Sequence, residues 1–232
     1  MNSAIIVAAG SGTRFGAEKP KQFLEIRGKP VLVHTLEKFE KCAAIDEIIL
    51  VLPAAEIENF QTLIEKYNFK KLAKTVAGGK TRAESVLNGL NSVNSEKAEI
   101  VAVHDGARPI VSPEEIAATI EKASEFGAAC LVAPVTDTIK QIANGKIVGT
   151  IDRNSLRRAL TPQCFRIEIL QKAFSENDLG EAATDECFLV EKLGYEISFV
   201  EGSARNIKIT HPEDLKIAEF FLKEFADERF ES

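Results

Sequence analysis

The sequence predicts an α/β fold: a mainly parallel, twisted sheet with helices on both faces. Three observations predict it. Short apolar runs alternate with helical patterns along the chain. Most of those runs are nearly continuous rather than alternating, as in strands covered on both faces. The stretches between them carry helix start signals, so strand, helix and strand repeat as βαβ units.

The expected strands are AIIVAA (4–9), EIILVL (47–52), EIVAVH (99–104), AACLVAPV (128–135) and EISFVE (196–201). Thr81 with Glu84, Ser112 with Glu115 and Thr210 with Glu213 are each spaced as a capping box, marking three helix starts. Pro113 stands where a first helical residue tolerates proline. One segment departs from this rhythm. TIKQIANGKIVGTI (138–151) reads as two strands around Asn144-Gly145, a strong hairpin signal. A lone hairpin is marginal in water. This one is therefore expected to protrude as an arm, at about 136–158, and to pack on a second copy of the chain. No internal repeat, linker or low-complexity segment interrupts the chain, so residues 1–232 are read as one Rossmann-like domain.

Composition narrows the function. Of 232 residues, 45% are hydrophobic and 28% charged, which suits a globular protein with a sizeable core. The net charge of −6 argues against general binding to nucleic acid or anionic membranes. No run reaches the roughly 18 apolar residues of a membrane span, and the N-terminus lacks the layout of a signal peptide. Cys42, Cys130, Cys164 and Cys187 are scattered, as free thiols of a reducing cytoplasm are. The expected location is therefore cytoplasmic. Three histidines without ligand spacing argue against structural zinc.

The stretch IIVAAGSGTRFGAEKPKQF (5–23) carries the chemistry. Gly10, Gly12 and Gly16 miss the dinucleotide fingerprint, because Phe15 sits where the third glycine belongs. Gly79-Lys80-Thr81 resembles the end of a P-loop, but Lys74 stands where its first glycine should be. NAD binding and Walker-type ATP hydrolysis both lose support. What remains is a turn whose glycines let backbone N–H groups approach an anion. Arg14 adds a planar fork and Lys21 a movable point charge. Together they suit a nucleoside triphosphate. No residue there looks like a base that would activate a nucleophile, so the second substrate is expected to bring its own.

The string G-x-G-T-R-x-x-x-x-x-P-K, followed by GKPVLVHTLE (28–37), resembles the signature of sugar-type nucleotidyltransferases. GGKTRAESV (78–86), VHDGARP (103–109), APVTDTIK (133–140), TIDRNSLRRALTPQCF (150–165), ATDE (183–186) and EGSARNIKIT (201–210) follow in order. As a set, covering residues 4 to about 222, they resemble the 2-C-methyl-D-erythritol 4-phosphate cytidylyltransferase family of the non-mevalonate isoprenoid pathway.

The resemblance implies a reaction: methylerythritol phosphate attacks the α-phosphorus of CTP in line, and pyrophosphate leaves. It implies catalytic roles for Arg14, Lys21, Arg153 and Lys208. The first two stabilise charge on the triphosphate, and Lys208 lies near the α-phosphate. Backbone groups around Ala8, Ala9, Gly10, Gly12 and Gly79, with Ser85 nearby, are implied to hold the nucleotide. Asp105, Arg108, Thr138, Arg153, Thr161, Thr184 and Lys208 are implied to contact the polyol phosphate. Arg153 and Thr138, on the arm, would complete the site of the second subunit of a homodimer. Asp105 is expected either to touch the sugar alcohol or to lie near a metal. The implied cofactor is Mg²⁺, bridging the triphosphate with phosphates and waters as most of its ligands. His104 is read as structural, since adjacent strand residues point to opposite faces. Arg157 and Arg158 receive no role. Two positions depart from the family pattern: Lys80, where an acid is frequent, and Gly106, where alanine is common.

Three other readings stand beside this one: a cytidylyltransferase for another polyol phosphate such as ribitol 5-phosphate, a nucleotide-binding regulator without chemistry, and an NAD-linked oxidoreductase. DRN before LTPQ favours methylerythritol phosphate over the first. The presence of all four basic residues counts against the second, and the failed glycine spacing against the third.

Overall fold

The computed structural model describes residues 1–10, 20–177 and 185–227. Its centre is a seven-stranded sheet. In chain order the strands are β1 (Asn2–Val7), β4 (Glu47–Leu52), β5 (Leu72–Ala77), β6 (Ile100–Asp105), β7 (Ala128–Pro134), β10 (Arg157–Arg166) and β11 (Ser198–Glu201). Their spatial order is β11-β7-β10-β6-β1-β4-β5. β1 pairs in parallel with β4 and β6, β4 with β5, and β11 with β7. Only β10 runs against its neighbours β6 and β7, so the sheet is mixed but mostly parallel. The β2–β3 pair (Glu25–Ile26 with Lys29–Pro30) and the β8–β9 pair (Ile139–Ala143 with Lys146–Ile151) stand apart from it.

The continuous apolar runs have a simple cause. Along β1, Ala4 and Ile6 enter one core layer and Ile5 the other. Along β4, Ile48 and Leu50 oppose Ile49 and Val51 in the same way. Leu32, Leu36 and Phe39 of α1 (Val31–Lys41), Phe60 of α2 (Ile57–Ile64) and Ile116 and Ile120 of α4 (Pro113–Phe126) cover the first layer. The second is covered by α3 (Arg82–Leu90), α5 (Ile167–Glu176) and α6 (Glu186–Lys192). Helices thus lie on both faces, as expected. A smaller cluster of Ile26, Val31, Ala107, Ile110, Ile209 and Ala218 seats α7 (Pro212–Asp227) beside the β2–β3 pair. Among the described residues no helix is long and apolar enough to cross a membrane.

Two of the three expected capping boxes form, at Thr81/Glu84 and Ser112/Glu115. The third does not form. Pro212 opens α7, and the Asp214 carboxylate, not Glu213, accepts the N–H groups of Thr210 and His211, each at 2.7 Å. Proline at the first helical position sets where that helix starts.

The β8–β9 hairpin turns at Asn144 and Gly145, with φ of 49° and 72°. Two positive φ values in succession suit a tight turn matched to strand twist, and they explain the Asn-Gly pair. The hairpin leaves Ile142, Ile147 and Val148 exposed by 60%, 66% and 57%. Ile142 faces Ile147 across the ladder, so the exposure forms a patch rather than isolated side chains.

Candidate active site

Three loops leave the same edge of the sheet. Ala8 N–H donates to Val51 O, Gly78 N–H to Leu52 O and Gly106 N–H to Val7 O, each at 2.8 Å. The segments after β1, β5 and β6 therefore extend the ladder at the strands' carboxyl ends, where open α/β sheets bind ligands. They are squeezed together there. A Cβ on Gly78 would lie 2.2 Å from the Ala9 Cβ, and one on Gly106 would lie 2.8 Å from the Ala8 Cβ and 3.0 Å from Leu32. This close approach explains both glycines, including the Gly106 that departs from the family pattern. Gln22, buried in the short turn Lys21–Phe23, donates through Nε2 to Ala8 O at 2.7 Å and Gly10 O at 3.3 Å.

Of the positions expected to hold the nucleotide, Ala8, Ala9, Gly10, Gly79 and Ser85 meet at this edge. Gly10 and Gly79 are exposed, Ala9 half-buried and Ala8 buried. The Ser85 hydroxyl is committed within the loop: it donates to Thr81 O at 2.8 Å and accepts Gly79 N–H at 3.1 Å. Lys80 contributes its backbone N–H to Glu84, while its side chain is exposed.

β6 ends in Asp105, and topology gathers three cations on it. Arg82 Nε reaches Oδ1 at 3.2 Å; Arg108 Nε and Lys208 Nζ reach Oδ2 at 3.3 and 2.9 Å. Burial alone would raise the Asp105 pKa, but Arg82, Lys208 and Arg108 together hold it well below the usual carboxylate range. The guanidinium groups have further anchors. Arg82 Nη1 donates to Glu186 Oε1 at 2.6 Å, and Arg108 Nη1 to Asn206 O at 2.9 Å. Burial pushes the Glu186 pKa up from its ordinary value despite Arg82. Lys208 is held in place by Ile209, which is buried and donates its N–H to Ala107 O at 2.9 Å.

His104 points away from this cluster. Its ring lies 4.9 Å from that of Phe39, with Nε2 3.1 Å from Arg108 O and Nδ1 3.0 Å from the Thr161 hydroxyl. Burial lowers its pKa from 6.5 to about 4, so the ring is neutral at pH 7. The bond assignments then follow. Nε2–H must donate to the carbonyl, so Nδ1 accepts from Thr161. The Thr161 oxygen in turn accepts Asp105 N–H at 3.2 Å. Thr161 was expected to reach polyol or phosphate, but it is buried and spends its hydrogen on His104. The geometry makes it a support for the Asp105 backbone.

Thr138 and Arg153 lie exposed at the base of the hairpin, where Arg153 Nη1 donates to Thr136 O at 2.6 Å. Arg157, previously without a role, pairs with Glu201 at 2.6 Å. Gly12, Arg14 and Thr184 lie outside the described residues, as does the side chain of Lys21. Asp105 was expected either to touch the sugar alcohol or to lie near a metal. Both of its oxygens already face cations, and among the described residues no group of three His, Cys, Asp or Glu could hold a metal ion.

Sequence reasoning gave no role to Arg82, Glu186, Gln22, Gln163 or Asn206. Gln163 is the buried brace of α6: its Oε1 accepts the N–H groups of Glu186 and Cys187, and its Nε2 donates to Asp185. Arg82 did carry a signal. It opens α3, and a cation in a helix's first turn opposes the helix dipole, which points to a carboxylate elsewhere.

Cations gathered at the carboxyl ends of a mostly parallel sheet, around glycine-lined loops, define an α/β protein built to handle phosphorylated ligands. Comparison with known proteins makes the assignment specific. Residues 2–224 match the family described as IspD, 2-C-methyl-D-erythritol 4-phosphate cytidylyltransferase, and the chain belongs to that family. It is 44% identical over 225 residues to the 2-C-methyl-D-erythritol 4-phosphate cytidylyltransferase of Bacillus licheniformis, covering 96% of each chain. It is 46% identical over 224 residues to a bifunctional enzyme IspD/IspF of Desulfotalea psychrophila, covering 96% of this chain and 57% of that one. The crystal structure of 4-diphosphocytidyl-2C-methyl-D-erythritol synthase from Anaerococcus prevotii superposes with a TM-score of 0.83 at 31% identity, over 96% of both chains. The Thermus thermophilus cytidylyltransferase gives 0.76 at 32% identity, covering 94% of this chain and 98% of that one.

Proposed function

We propose that this chain joins CTP to 2-C-methyl-D-erythritol 4-phosphate, giving 4-diphosphocytidyl-2-C-methyl-D-erythritol and pyrophosphate, as a step of isoprenoid precursor synthesis in the cytoplasm. The observation that carries the reading is the convergence of Arg82, Arg108 and Lys208 on Asp105 beside the backbone of residues 8–10, in a chain of this family.

The substrate's phosphate is already an anion, so no base has to create the nucleophile. Catalysis then consists of aligning two anions and stabilising charge as the bond to pyrophosphate breaks. The loops after β1 and β5 hold the base and ribose through backbone groups. Arg14 and Lys21 neutralise the triphosphate, and Lys208 exchanges Asp105 for phosphate oxygen at the α-phosphorus. Arg108 and Thr184 serve the polyol phosphate. Mg²⁺, when bound, would add charge neutralisation to that supplied by Arg14 and Lys21.

We read residues 1–232 as one domain, with the hairpin arm of about 136–158 crossing to a second copy. Thr138 and Arg153 of each arm complete the other subunit's site. The exposed Ile142, Ile147 and Val148 support an arm that packs on protein.

A pyrophosphate-release assay with CTP and either methylerythritol phosphate or ribitol 5-phosphate tests the reading. Turnover should be much faster with the former. Equal or faster turnover of ribitol phosphate overturns the substrate assignment.

A further inference from the structure

We propose that Arg82 and Glu186 are positioning residues that let Lys208 leave Asp105 for the substrate's phosphate. The inference rests on the reading of Lys208 given above. Three cations share one buried carboxylate, but they are not equivalent. Arg82 bridges Asp105 to Glu186, and Arg108 is tied to the Asn206 carbonyl. Both guanidinium groups thus keep their places whatever Lys208 does. The Lys208 ammonium has no second partner among the described residues, and its side chain is 38% exposed, against 26% for Arg82 and 12% for Arg108. It is the one member built to exchange.

Removing a cation from a buried carboxylate is costly unless other donors stay behind. Once Lys208 departs, Asp105 keeps one guanidinium on each oxygen: Arg82 on Oδ1 and Arg108 on Oδ2. Glu186 fixes the first of these. It is 1% exposed, sits at the start of α6, and spends Oε1 on Arg82, while Oε2 has no hydrogen-bond partner among the described residues. A buried carboxylate with one oxygen left unpaired is a poor device for stability alone. Among the described residues, the one polar engagement of this carboxylate is with Arg82, and it sets that guanidinium's aim. Without Arg82, or with Arg82 no longer held by Glu186, Asp105 would grip Lys208 more tightly. Transfer of Lys208 to phosphate would then become the difficult step.

The test uses Arg82→Ala, Glu186→Gln and Lys208→Ala in the full chain, with kcat and KM measured for both substrates and folding checked by circular dichroism. Arg82→Ala should lower kcat about tenfold to a hundredfold, the scale of an active group misplaced by roughly 1 Å, with KM for CTP within about twofold. Guanidinium ion at tens of millimolar should restore part of that loss, because the vacated site opens to solvent. Urea, of the same shape but uncharged, should not. Glu186→Gln keeps shape and removes charge; it should lower kcat about threefold to tenfold and leave KM for CTP unchanged. Parental kcat in both variants overturns the proposal, as does a gain from urea equal to that from guanidinium, or no gain from guanidinium in a folded Arg82→Ala. If Arg82→Ala fails to fold, parental kcat in Glu186→Gln suffices to overturn it. Lys208→Ala separates the two levels: full turnover there overturns the role of Lys208 itself.

Discussion

The buried histidine at the end of β6 makes a prediction about acid that can be worked through. His104 is neutral and fully engaged, with pKa lowered from 6.5 to about 4. A group whose folded pKa is depressed contributes stability above its unfolded pKa, and that contribution is lost as pH falls. Here the loss begins near pH 6.5 and levels off near pH 4. At about 1.4 kcal/mol per unit, two-state linkage gives a loss of about 2 kcal/mol between pH 7.5 and pH 5. The perturbation reaches the site directly. A protonated Nδ1 can no longer accept from Thr161, and Thr161 is what holds Asp105 N–H.

Two other buried groups are shifted by burial, in opposite directions. His34 is also lowered by burial and adds to the acid loss. Glu186 is raised, so its contribution is present at low pH and lost as pH rises, opposing the histidines. The difference between parent and His104→Gln isolates the term. Urea unfolding at pH 7.5 and 5 should show the variant less stable than the parent at pH 7.5, with its acid loss smaller by about 2 kcal/mol. An NMR titration placing the imidazole near 6.5, or an unchanged acid loss in the variant, would refute the reasoning.

Three further outcomes are expected. Gly78→Ala forces a methyl to within 2.2 Å of the Ala9 Cβ, so it should cost about 1–3 kcal/mol of stability by urea unfolding and raise KM for CTP. Ile147→Asp, placing a charge on the exposed hairpin patch, should weaken self-association about tenfold or more in sedimentation equilibrium, roughly 1.4 kcal/mol, without unfolding the sheet. Arg153→Ala should raise KM for methylerythritol phosphate with CTP binding kept. When it is mixed with Lys21→Ala, subunit exchange should restore activity, since each heterodimer regains one complete site.

The fold was legible where burial is two-sided. β1, β4, β6 and β7 sit between helices, so their sequences are almost wholly apolar. β5 escaped because it lies at the sheet's edge and is half polar, LAKTVA. β10 escaped for a different reason. It opens with Arg157-Arg158 and contains Pro162, which a central strand tolerates only at an irregularity. The ladder to β7 does shift register between Ala159 and Gln163. The site divides in the same way. Asp105, Arg108 and Lys208 were reached through motifs. Glu186 was not, because its partner Arg82 is 104 residues away and only the fold brings the first residues of α3 and α6 together. Thr161 was reached through its motif, but its bonds to His104 and to the Asp105 backbone were not legible, since a hydroxyl's direction is set by neighbours that sequence spacing does not display.

The central claim is that Lys208 trades its carboxylate partner for phosphate at the carboxyl edge of the sheet. A crystal structure with CTP bound tests it most directly. The account predicts cytosine against the backbone of residues 8–10 and 79, with Lys208 Nζ on an α-phosphate oxygen and Asp105 still held by Arg82 and Arg108. CTP bound elsewhere, or bound here with the Lys208–Asp105 pair intact, would contradict it.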